Sequence, residues 1–211
     1  MSTAMRGDPP RAGVRERIHH ARSNVHNERH AMKSDTIELV ERVRRRLQEL
    51  ENRCEIAGPA PEAAISAAEV ALGCIFPPSY RSFLSTFGGI AIPPHLAVVH
   101  DFVGVPRGQA HGHNPSEGTN GSAVATDVVR RTLQARAEGR LGDHLVVVGI
   151  GAQHQEWFCL DVSRPSSAGE YPVRMFDARD NALDQQFYED FGQMLVEVLG
   201  FVADSLEQPL D

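Results

Sequence analysis

The chain has 211 residues, with 21 Lys+Arg against 28 Asp+Glu and a formal net charge of −7 at pH 7. That length accommodates one domain of ordinary size plus an appendage, and an acidic surface repels phosphate, which argues against nucleic-acid binding. Cys54, Cys74 and Cys159 form an odd set without CxxC spacing, the N-terminus lacks an apolar signal core, and no run long enough to span a bilayer occurs, so the expectation is a cytoplasmic chain with no disulfides, membrane contact or cofactor.

Residues 1–34 carry seven basic and three acidic side chains, while residues 35–211 carry fourteen and twenty-five. The first segment also holds His19, His20, His26 and His30 and almost no large apolar residues. It buries too little surface to offset its ordering entropy and reads as a mobile basic arm, leaving 35–211 as a single domain. Asp35 and Glu38 have capping-box spacing, and Leu39, Val43, Leu47 and Leu50 follow at helical period, with Ile37 and Val40 beside them. Arg42, Arg44, Arg45 and Arg46 alternate with acids there, as a solvated helix face or a docking patch.

Two short amphipathic helices come next. Pro61 marks the first, with Ile65, Ala68, Glu69 and Leu72 on one face and Gly73 as its stop. Pro77-Pro78 opens the second, with Tyr80, Phe83, Leu84 and Phe87 inward, and Gly88-Gly89 closes it. Glu69 lies on an apolar face and needs partners, either as a cap for the Tyr80 helix or as an acceptor for N–H groups near Cys74–Tyr80.

The period then shifts. Residues 96–105 read as a strand, 106–122 as a long exposed loop, and 123–137 as a helix with Val124, Val128 or Val129, and Leu133 inside. Residues 144–150 read as a central strand, with Gly149-Ile150-Gly151 as a hairpin turn because the third glycine of a dinucleotide fingerprint is missing. Strands are expected at 156–162, with Trp157, Cys159 and Asp161 on one face, and at 171–176. Asp184 then caps a final helix bearing Phe187, Phe191, Leu195, Val198 and Val202. Helices first and strands later favour an α+β fold with a mainly antiparallel sheet.

Neither a nucleophile elbow nor a P-loop is present. His100, Asp101, His111 and His113 offer zinc-ligating atoms at unspecific spacing, and solvated loop histidines are the plainer reading. Glu156, Asp161, Asp177, Asp180 and Asp184 stand near expected strand edges. Between Asp161 and Asp211 there are three arginines and eleven acids, a field that speeds encounter with a basic partner. Trp157, the only tryptophan, either fills core volume or anchors a partner at a surface rim. The contact surface is therefore expected around Glu156, Trp157, Asp161, Asp177, Asp180 and Asp184.

The series Ile65, Glu69, Leu72, Gly73, Phe76, Pro77, Tyr80, Phe83, Leu84, Gly88 and Gly89 resembles the signature of the SUKH superfamily of Smi/Knr-type domains. Residues 156–161, Pro172-Val173 and 187–191 are similar to its strand-then-helix second half, although Phe76 stands where the family usually has Leu and Phe87 where it has Asn. The resemblance implies helices around an antiparallel sheet. It also implies a non-enzymatic immunity protein that neutralises a cognate polymorphic toxin, often a nuclease or deaminase. The alternative it implies is an intracellular scaffold or regulatory module of the cell-wall regulator type, for which the basic arm would be a docking segment.

Overall fold

The computed structural model describes residues 34–105, 127–151 and 154–207. The arm read at 1–34 lies outside them except for Ser34, as does the loop at 106–122 with His111 and His113.

Helix α1 (Ser34–Glu49) turns Thr36, Val40, Val43 and Leu47 inward. The buried stripe is thus rotated from the expected one: Leu39 is half-buried, and Leu50 falls beyond the last helical residue and is exposed. Asp35 sits inside the first turn, where a carboxylate meets the positive end of the helix dipole, and does not cap it. One arginine of the run ties this helix to a distant segment, with Arg46 Nε donating to the Leu206 carbonyl at 3.1 Å, while Arg44 pairs with Glu41 on the helix's own surface.

Helices α2 (Glu62–Leu72) and α3 (Pro78–Phe87) begin and end where prolines and glycines dictate. Each N-cap is an extended proline, and each ends on a left-handed glycine, Gly73 and Gly88, both at φ +69°. Their inner faces, Ile65, Ala68 and Leu72 against Tyr80, Phe83, Leu84 and Phe87, meet one core.

Among the described residues seven strands form one sheet in sequence order, each antiparallel to the next: β1 (Glu55–Ile56), β2 (Ile90–Ala91), β3 (Val99–Phe102), β4 (Leu145–Gly151), β5 (Glu156–Asp161), β6 (Val173–Asp177) and β7 (Ala182–Tyr188). Helix α4 (Val128–Ala137) enters between β3 and β4, and α5 (Phe191–Glu207) closes the described chain. The fold is α+β, a helix-flanked antiparallel sheet, as the element order implies. Trp157 faces α4, whose Arg131 covers its ring, while the opposite face at Gly149 and Phe158 meets Met194 of α5.

Several local expectations are corrected. The strand read at 96–105 contracts to β3. Helix α4 starts after Asp127, whose side chain accepts from the N–H groups of Val129 and Arg130. Leu133 is exposed and Thr132 takes the inner position, where its Oγ1 accepts the Val147 N–H at 3.1 Å beside the register shift in β4. Gly149 and Gly151 lie within β4, and the hairpin turn follows them, with the His154 N–H donating to the Gly151 carbonyl at 2.9 Å. A Cβ at Gly149 would meet Val99 at 3.0 Å and Phe158 at 3.2 Å, so close strand packing explains that glycine. Asp184 does not cap the last helix. It stands in β7 with Phe187, and Asp190 performs the capping, accepting the Gln193 N–H at 2.8 Å.

Candidate functional site

The motif residues on α2 and α3 are committed to holding the domain together. Glu69 Oε1 accepts the Phe76 N–H at 2.8 Å and pairs with Arg81 at 2.5 Å, while Arg81 also reaches Glu62. The expected role for Glu69, an acceptor in the α2–α3 turn, is therefore what the structure has, with Arg81 as a cation that sequence reading missed. Tyr80 is fully buried, and its hydroxyl donates to the Val103 carbonyl at 2.8 Å. Its ring lies 4.8 Å from that of Phe191, so α3 and α5 share one aromatic cluster with Phe83 and Phe102. Glu170 also escaped sequence reading. Its carboxylate accepts from both the N–H and the hydroxyl of Ser79, at 2.9 and 2.6 Å, and so caps α3 from across the chain.

The six residues expected to contact a partner divide by burial. Trp157 is 3% exposed and stacks on Phe176 at 5.3 Å, which makes it core and corrects its reading as a surface anchor. Asp161 is 1% exposed and accepts from the N–H and hydroxyl of Ser163, with Arg174 3.7 Å away, so it too is structural. Asp177 accepts from the N–H groups of Arg179 and Asp180 and builds the β6–β7 turn. Glu156 is half-buried at the β5 start, packed over Gly151. Asp180 and Asp184 are exposed, at the hairpin tip and on the last strand of the sheet. Phe187, 53% exposed on the same strand, is an aromatic side chain that helical pattern-reading had placed inside.

His100 and Asp101 are buried in β3, and the His100 ring meets that of His154 edge-on at 4.6 Å. Among the described residues no group of three or more His, Cys, Asp or Glu is arranged to hold a metal ion. Burial pushes the Cys54 thiol up to about 11 and raises Cys159 further, so neither is a thiolate near neutral pH.

Burial, reinforced by His154, holds the His100 imidazole below its ordinary value of 6.5, against the opposing pull of Asp101. Above that value both folded and unfolded chains carry a neutral imidazole. As pH falls below it, the unfolded chain takes a proton that the folded chain refuses, and stability drops. Urea midpoints should therefore decline from pH 7 to pH 5 less steeply in His100→Asn than in the parent, and equal slopes would remove His100 from the acid limb.

With this geometry in place, comparison with known families is decisive about membership. The model of the SMI1 / KNR4 family (SUKH-1) matches residues 59–197, from the approach to α2 into α5, and the chain belongs to that family. A search of curated proteins finds no match.

Proposed function

We propose that this chain is a cytoplasmic, non-enzymatic binding protein: an immunity protein that neutralises a cognate toxin of nuclease or deaminase type by direct contact. Membership in the SMI1 / KNR4 family is the observation that carries the reading, because the resemblance behind it implies that role. The geometry supports it with a surface. Strand β7 is the sheet's last strand and presents Asp184 and Phe187, Asp180 stands at the preceding tip, and exposed Glu189 follows. An aromatic anchor within an acidic rim suits a basic protein partner. An interface of about 1,600 Å² in total would suffice.

The test is binding to the polypeptide encoded beside this gene. Its association rate should fall as salt rises from about 0.02 to 0.15 M, since screening shortens the reach of the carboxylate field. Asp180→Lys with Asp184→Lys should slow association at low salt. A rate indifferent to both changes contradicts the electrostatic surface.

A further inference from the structure

Two imidazoles touch where β3 meets the segment that joins β4 to β5. His100 is 7% exposed, its Nδ1 is buried without a hydrogen-bond partner among the described residues, and its ring lies edge-on to that of His154 with centroids 4.6 Å apart. His100 has no room to withdraw. It stands in β3, and its carbonyl accepts the Ile92 N–H at 2.7 Å. His154 is free to move outward, because it is exposed and sits at φ +59°, a left-handed conformation that a side chain with a Cβ adopts at a cost.

Three contacts hold His154 in place. Its N–H donates to the Gly151 carbonyl at 2.9 Å, its carbonyl accepts the Trp157 Nε1–H at 3.3 Å, and its ring rests against His100. A proton on His100 works against the last of these, because it puts charge in a buried site beside a second imidazole. Burial first, then His154, disfavour that charge, and Asp101 with the Gly151 and Ile150 carbonyls opposes them only in part. The other charged groups around the pair are Glu156, packed over Gly151 on the opposite face, and those of the cleft that His154 lines: Arg131, Glu138 and Arg140 from α4 and its end, and Arg179 from the β6–β7 turn. Among the carboxylates it is Asp101 that favours a charged His100.

We propose that the β4–β5 segment is an acid-triggered switch: when His100 takes a proton, His154 leaves it and withdraws the carbonyl that holds the Trp157 indole. Above pH 6.5, the ordinary imidazole value, His100 is neutral whether the segment is closed or open, and the three contacts keep it closed. As pH falls below that value the open form binds a proton that the closed form refuses. The open population then grows by up to about tenfold per pH unit. Opening uncovers the indole on the α4 side of the sheet, so the device does not depend on the partner proposed for β7.

The experiment uses the full chain and the emission of its single tryptophan. Between pH 7 and pH 5 the emission maximum should move to longer wavelength while far-ultraviolet circular dichroism stays constant. His100→Asn should abolish the shift. His154→Asn removes the second imidazole but keeps a residue that tolerates the left-handed backbone, so the segment still forms and the shift should shrink and move to lower pH. This second variant keeps the test valid if His100→Asn fails to fold. A constant maximum down to pH 5 in the parent, or a shift that persists unchanged in either folded variant, overturns the switch. Emission and circular dichroism that change together overturn it as well, because the domain then opens as a whole.

Discussion

Leu84→Asp should abolish cooperative unfolding. Leu84 is 0% exposed on the inner face of α3, and its carbonyl accepts the N–H groups of both Gly88 and Ala60. The helix cannot rotate the new carboxylate toward water without surrendering those bonds and withdrawing Tyr80 and Phe83 from the aromatic cluster. An unpaired buried charge costs several kcal/mol, out of a total stability of about 5–15 kcal/mol for a domain of this kind. The measurement is a thermal melt followed by near-ultraviolet circular dichroism. A sigmoidal transition close to that of the parent would show that α3 does not use this face for the core.

The glycine pair gives the second large effect, with an internal control. Gly73 and Gly88 both end helices at φ +69°, with ψ 28° at Gly73 and −22° at Gly88, so alanine strains the backbone at both and somewhat more at Gly88. At Gly73 a Cβ would meet nothing within 4 Å, and the loss should be about 1 kcal/mol. At Gly88 a Cβ would fall 2.0 Å from the Gly58 carbonyl oxygen. Gly104 packs against the same spot, and Val105 N–H donates to the Gly88 carbonyl at 3.2 Å. Three chain segments pass there at backbone contact, and Gly88→Ala must part them. We expect a loss of at least about 3 kcal/mol, within the range of severe core disruptions. Urea midpoints of the two variants decide it. Similar losses would mean that only the dihedral angle matters and that the close approach tolerates a methyl group.

This contrast also shows what a sequence discloses. Helices α2 and α3 were legible because proline, glycine and apolar period agree there on one answer. The need for Gly88 was visible only as a helix stop; its contact with Gly58 and Gly104 is a tertiary fact with no local signature. Strand β7 was misread because Phe187 and Phe191 stand four apart and mimic a helix face, while pairing with β6 decides the matter. Strands β1 and β2, two residues each, are too short to show a period.

The proposed contact surface is legible in the sequence only as excess charge. Counting carboxylates could not reveal that Asp161 is locked by Ser163 and near Arg174, or that Asp177 builds a turn, whereas Asp180 and Asp184 face outward. Trp157 followed its composition to the core, and its exposed aromatic counterpart lay unrecognised at Phe187. Arg81, Arg131 and Glu170 carried no pattern at all, since their partners come from distant segments.

The central claim is that this domain acts by touching another polypeptide. Co-expression with the polypeptide encoded by the adjacent gene, a toxin under the proposed function, tests it most directly, with growth and co-purification as readouts. The account predicts that the parent chain restores growth and co-purifies as a stoichiometric complex, and that Asp180→Lys with Asp184→Lys loses both while remaining folded. Protection without a complex, or no protection by the folded parent chain, would contradict it.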